Sequence, residues 1–370
     1  MTARLSPTLS FYVGRLFLSS LAGIFMLFVA IIFMLDFIEL LRRAAGKASV
    51  TFAEVVNMAL LKLPHTAQEV LPFAVLFGSI LAFWRLNRSS ELVIIRSAGV
   101  SIWQFLLPVL VITAAVGGFK LAVFNPLAAS LIAKFEQIEA ENLRYRTSVL
   151  AVSKTGLWLR QKDDDGQTVI HASGVSHDGL QLSGVIVFFY GSQDKFLGRA
   201  DARGARLETG FWRLKDVWLT ESGAKPRFVA EHRIPTDLTL DKIQESFASP
   251  ETVSFWELPH FIRVLEAAGF SSVRHKLQFN SLLAEPLLLC AMALIAAVFS
   301  LRHTRRSGSA LIIAGGVMTG FLLYFVTDLV SALGLSNSIP VLLAAWTPAG
   351  ASTLLGLSML LHLEDHCTDG

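Results

Sequence analysis

Residues 17–35 read FLSSLAGIFMLFVAIIFML, a stretch from Phe17 to Leu35 that carries no charge and then meets Asp36, Glu39, Arg42 and Arg43. About 20 apolar residues span the hydrocarbon core of a bilayer, so the stretch predicts a membrane helix. Working outward, a second apolar segment covers Val56–Trp84, of which only Val70–Trp84 is charge-free, and a third covers Ile102–Phe124. The chain then turns polar over residues 125–280. It becomes apolar again over Leu282–Leu301, Ala310–Leu335 and Ile339–Leu361. Pro72, Pro108, Pro286 and Pro348 lie in or at the ends of these spans, where neighbouring helices can satisfy the freed carbonyls. The pattern predicts an α-helical membrane protein with six transmembrane helices, arranged 3+3 around one inserted domain. The expected division is 1–124, 125–280 and 281–370.

Composition agrees. Of 370 residues, 53% are hydrophobic and 16% charged, against about 25% charged in soluble domains. The net charge of +3 is too small to argue for a nucleic-acid partner. Cys290 falls in the fourth span and Cys367 in the tail, so the inserted domain can form no disulfide, and neither has metal-ligand spacing. No cofactor or metal is expected. The first span lacks the small-residue cleavage pattern of a signal peptide.

Orientation follows from basic residues in the short loops. One side collects Arg4, Arg15, Arg85, Arg88, Arg96, Arg302, Arg305 and Arg306, and the other Arg42, Arg43 and Lys47. Both termini are therefore expected on the cytoplasmic side, with 125–280 outside.

After Asn125-Pro126 the spacing of Leu127, Leu131, Ile132, Phe135 and Ile138 predicts that span three continues as an amphipathic helix. From Ser148 to about Leu240 the texture is β. Val149–Val152, Leu157–Arg160, Val169–Ala172, Val185–Tyr190, Ala205–Glu208 and Val217–Thr220 are separated by Gly, Asp and Ser turns. Strands so spaced favour a sandwich, a jelly roll or another open barrel-like sheet. A second amphipathic helix, Phe255–Ala268, leads toward span four. His171, His177, Asp178, Asp194, Asp201 and Asp237 form no carboxylate pair or metal pattern, and no catalytic motif appears. Such a domain is expected to bind or conduct something rather than to catalyse.

Between spans two and three, Arg85–Ser101 predicts a helix of about two turns. Ser89 or Ser90 would cap it, Glu91 suits its first turn and Gly99 would end it, with Leu92 and Ile95 as an apolar flank. The residues alone leave two readings open, a plain connector or an element that docks on a cytosolic motor. No Walker A motif is present, since Gly46-Lys47 lacks the upstream glycine and is followed by alanine.

These pieces together resemble the LptF/LptG permease family of the lipopolysaccharide export ABC transporter. The resemblance rests on Arg88-Ser-Ser-Glu-Leu-Val with Ala98-Gly99, and on Thr155-Gly156-Leu157-Trp158. Pro64 and Pro72, and Pro340 through Trp346-Thr347-Pro348, add to it. Gly-Leu-Trp looks more like LptG than LptF. The resemblance implies a jellyroll-like periplasmic domain and a permease subunit without catalysis of its own, in the inner membrane of a Gram-negative cell. It implies pairing with an LptF-like permease over an LptB-like ATPase dimer, with lipopolysaccharide as substrate and LptC-like and LptA-like proteins receiving it. Arg88, Glu91, Leu92, Ile95 and Arg96 would then couple to the ATPase. Arg42, Arg43 and Lys47 would meet lipid phosphates, which guanidinium groups grip bidentately.

The competing role for those three is interfacial anchoring. Asp36 stands where the family pattern suggests a basic residue, and Glu39 is positioned to pair with Arg42 or Arg43. Lys62, His65 and Glu69 share one helical face, so internal pairing of Lys62 with Glu69 or His65 is expected, with head-group contact or gating as the other role. Asp328 is expected as a buried, paired carboxylate or part of a gate. Ala314-Gly315-Gly316 and Gly320 suit close helix packing. A different class of function, a non-transporting membrane scaffold whose β domain recruits periplasmic partners, would tolerate changes in the loop and in helix two.

Overall fold

The structure is a computed structural model that describes residues 7–45, 50–97, 100–142, 148–153, 156–163, 166–175, 181–191, 195–221, 223–236, 249–267, 271–300 and 309–368. In chain order its helices are α1 (Pro7–Ala44), α2 (Phe52–Glu69), α3 (Leu71–Arg88), α4 (Glu91–Ser97), α5 (Ile102–Phe119) and α6 (Asn125–Asn142). After the strands come α7 (Leu258–Ala267), α8 (Val273–Ser300), α9 (Ser309–Leu335) and α10 (Val341–Thr368). The chain forms two compact units, Met1–Phe135 with Leu277–Gly370, and Glu136–Lys276.

In the helical unit, among the described residues, five helices are long and apolar enough to cross a membrane, and α2 with α3 makes a sixth candidate bent by 58°. The second span expected over Val56–Trp84 is thus bent between α2 and α3. Pro72 near the start of α3 has no N–H to return to the preceding turn, and Val70 takes the turn between the helices. Thr51 and Glu54 form a capping box that starts α2, and Ser101 and Gln104 do the same for α5. Span three does continue as expected. A π-helical turn at Lys120–Phe124 joins α5 to α6, giving one helical run over Ile102–Ala140.

Phe17, Leu76, Phe83, Leu106, Val109 and Leu289 fill the core of this unit, all fully buried. Two glycines set its closest approaches to a neighbouring helix backbone. A Cβ on Gly78 would lie 2.8 Å from the Leu21 Cα, and one on Gly117 would lie 2.8 Å from the Pro286 Cα. Small residues let membrane helices pack backbone to backbone, the contact that replaces hydrophobic drive in lipid.

The second unit carries one antiparallel sheet of seven strands in sequential order, among the described residues. They are β1 (Ser148–Ser153), β2 (Gly156–Asp163), β3 (Gly166–Val175), β4 (Gln181–Gly191), β5 (Phe196–Glu208), β6 (Phe211–Glu221) and β7 (Arg227–Pro235). The inserted all-β domain is as expected, and its order makes it a single open sheet. β7 was not anticipated, because Glu231, His232 and Arg233 break its apolar alternation. The run expected at Ala205–Glu208 is only the end of β5.

Register explains the two faces. Leu157, Ala172, Val185, Ala202 and Val217 pair in one cross-strand row and are all buried. One residue along each strand, Trp158, His171, Ile186, Asp201, Trp218 and Phe228 form the row on the opposite face. The period of two makes a one-residue step change the face. Leu265 of α7 packs into the buried face. At one end Gln161 of β2 donates to the Pro235 carbonyl (2.8 Å) and accepts from the Thr236 hydroxyl (2.9 Å), which draws β2 and the end of β7 together.

Candidate functional site

The charges at the far end of α1 and along α2 form one polar strip. Lys62 Nζ lies 2.7 Å from Asp36 Oδ1, with both side chains partly buried. The expected partners of Lys62 were Glu69 or His65, and the pairing is instead across helices. Spacing within α2 places the three residues on one face but cannot reveal a carboxylate brought up by α1. His65 pairs with Glu69 at 3.4 Å. Desolvated charges in a membrane helix are stable only when paired, and α1 and α2 meet that need reciprocally.

Further along α1, Glu39 takes both arginines, with Arg42 Nη2 at 2.7 Å and Arg43 Nε at 2.8 Å. The arginines remain exposed, Arg42 at 77% and Arg43 at 50%. The pairing anticipated for Glu39 therefore forms with both. Lys47 lies outside the described residues.

The loop helix α4 covers Glu91–Ser97, close to the predicted two turns. Its start differs from expectation. Ser89 closes α3, its hydroxyl donating to the Arg85 carbonyl at 3.0 Å, and Ser90 takes φ 59°, a left-handed turn that re-aims the chain. Tyr12 of α1 donates to Glu91 Oε2 at 2.8 Å, which ties the loop to the first span. Arg88 is exposed, with its guanidinium 5.1 Å from the centre of the Trp84 ring. The expected apolar flank of Leu92 and Ile95 faces the helical core. Leu92 is 2% exposed within the membrane-helix core and Ile95 packs against that core, so both hold α4 in place. Ile94 is the large apolar side chain that points out, at 66% exposure. Arg96 belongs to α4 by its backbone, its side chain and Gly99 lying outside the described residues.

Asp328 is exposed on the chain, one turn beyond Tyr324, whose ring centroid lies 4.9 Å from that of Phe73. Asp328 was expected as a buried, paired carboxylate or as part of a gate, and its exposure departs from the burial. α9 exposes Met318, Phe321, Leu322, Phe325 and Leu329.

One polar centre was missed altogether. Lys120, 6% exposed at the π-helical turn, forms an ion pair with Glu285 of α8 and donates to the Gln68 carbonyl of α2 at 3.1 Å. The signal was present: each charge interrupts an otherwise apolar span, and intramembrane charges are rarely incidental. Among the described residues no group of three or more His, Cys, Asp and Glu could hold a metal.

Several membrane-crossing helices around an inserted all-β sheet define a multi-pass membrane protein. The family model described as lipopolysaccharide export system permease LptF/LptG matches residues 11–362, and the chain belongs to that family. The chain is similar to the lipopolysaccharide export system permease protein LptG of Escherichia coli (strain K12), 23% identical over 364 residues that cover 95% of this chain and 97% of that protein. The Haemophilus influenzae protein of the same name is 24% identical over 355 residues, covering 92% and 95%.

Proposed function

We propose that this chain is the LptG-like permease half of an ABC transporter that extracts lipopolysaccharide from the inner membrane and passes it to a periplasmic bridge. Its partners on this reading are an LptF-like permease, an LptB-like ATPase dimer, and LptC-like and LptA-like periplasmic proteins. ATP is hydrolysed on the separate chain. Both termini and α4 face the cytoplasm, and residues 125–280 are periplasmic. The observation that carries the reading is the family match from residue 11 to residue 362, which takes in the spans, the loop helix and the sheet together.

The geometry supports a role for each group. Arg42 and Arg43 offer exposed guanidinium groups for lipid phosphates, with Lys47 beside them in sequence. Arg88, Glu91 and Ile94 form the outward side of the coupling loop, and Leu92 and Ile95 anchor it. The apolar face of α9 suits the seam with the second permease. The test is affinity purification of the tagged chain from its native membrane, followed by ATPase and lipopolysaccharide photocrosslinking assays. Co-purification of an ATPase and a second 3+3 permease, with crosslinking that needs ATP, is expected. Recovery of periplasmic proteins alone, with no ATPase, supports the scaffold instead.

A further inference from the structure

Three helix irregularities meet at the buried Lys120–Glu285 pair. Gln68 is four residues before Pro72, so its carbonyl has lost the helical donor that residue 72 would normally supply. It accepts instead from the Val70 N–H and from the Lys120 ammonium, the latter at 3.1 Å. Lys120 also opens the π-helical turn Lys120–Phe124, the kind of widened turn that recurs at functional positions. Glu285, which neutralises it, directly precedes Pro286, and Pro286 packs against the bare backbone of Gly117 one turn before Lys120.

The elements so joined have different destinations. α3 runs from the bend at Val70 into α4, the loop that Tyr12 and Leu92 hold. α5 continues through the π turn into α6, which leads to β1, and α8 receives the chain returning from β7 and α7. One ammonium therefore links the bent span that ends in the coupling loop to both helices that flank the inserted sheet.

We propose that Lys120 and Glu285 are a positioning pair that couples the bend of α2 and α3 to α5 and α8, so that movement of α3 and α4 during ATP turnover reaches the helices entering and leaving the sheet. The inference rests on the permease reading above. Straightening the bend withdraws the Gln68 carbonyl from Lys120. The buried ammonium then has Glu285 as its remaining partner, and the π turn and α8 must follow to keep it solvated. A bend without the pair can move alone.

The experiment uses the whole complex, with the paired permease and the ATPase, in nanodiscs. Spin labels replace exposed Leu60 on α2 and exposed Val123 on the π turn, and their separation is compared between nucleotide-free and vanadate-trapped states. K120M/E285Q removes both charges at once, which avoids stranding a single buried ion. The wild type is expected to shift between states. The double variant should lose most of that shift, keep ATP hydrolysis, and transfer lipid per ATP about 5- to 150-fold less well, the range of ordinary coupling energies. E285Q alone should show the same direction. A shift and a transfer-per-ATP ratio unchanged in the double variant overturn the proposal, as does a wild type with no shift. If the wild type shifts but moves no lipopolysaccharide, the permease reading fails while the label distances still decide the coupling.

Discussion

Lys62 of α2 and Asp36 of α1 are joined by a 2.7 Å ion pair in which Lys62 keeps 30% and Asp36 19% of its side-chain exposure. Removing one partner strands the other in a largely dry setting. D36A should cost about 1–3 kcal/mol in a detergent unfolding titration, less than the 3–5 kcal/mol of a fully buried pair because Lys62 still reaches some solvent. The swap D36K/K62D should recover most of the loss. An unchanged curve for D36A would mean the contact does not persist in the membrane.

Glu39 competes with any phosphate for Arg42 and Arg43. Exposed ion pairs hold their partners only weakly, so E39Q should raise lipopolysaccharide crosslinking near residue 42 by about 1.5- to 5-fold. R42E/R43E should lower it. Equal crosslinking in all three proteins would reduce the arginines to anchors.

α4 separates two kinds of leucine-like side chain. I94D should abolish the stimulated ATPase of the complex without changing the amount of folded permease, and E91K should do the same. L92A should instead cost about 2–5 kcal/mol of stability, as core truncations do. If I94D hydrolyses ATP normally, α4 is only a connector.

His232 lies on β7 opposite buried Leu214, with its ring near Phe189. Burial, helped by nearby Arg227, holds its imidazole below the ordinary histidine value. The unfolded chain therefore takes up a proton more readily than the folded one. The stability of β6 and β7 is full above about pH 6.5 and falls as pH drops through the depressed value. Hydrogen exchange of these strands, corrected for intrinsic rates, should show protection declining from pH 7.5 to 5. H232Q should flatten the decline, and an identical slope in the variant would assign it to other groups.

Much of the architecture was readable because hydropathy is a local property. The run from Phe17 to Leu35 is a span whatever surrounds it, and the amphipathic spacing from Leu127 to Ile138 carried span three into α6. The strands from Leu157 to Thr220 announced themselves through alternation and turn residues. β7 did not, since the polar His232 takes an inward position next to the buried Ile234 and hides the apolar period. The loop helix was also legible, but not its facing. Ser90, with φ 59°, turns α4 so that Leu92 is buried and Ile94 is shown, and no periodicity argument over seven residues fixes that rotation.

Sequence alone determined which segments are long and apolar enough to cross a membrane, where the sheet is inserted and which loop carries the Ser-Glu-Leu string, because each depends on neighbours along the chain. Tertiary structure decided who neutralises whom. Asp36 finds Lys62 across 26 residues, and Lys120 finds Glu285 across 165 and Gln68 across 52. In an environment without water a charge must be met by whatever group the packing delivers, and that delivery is settled only when the helices are assembled.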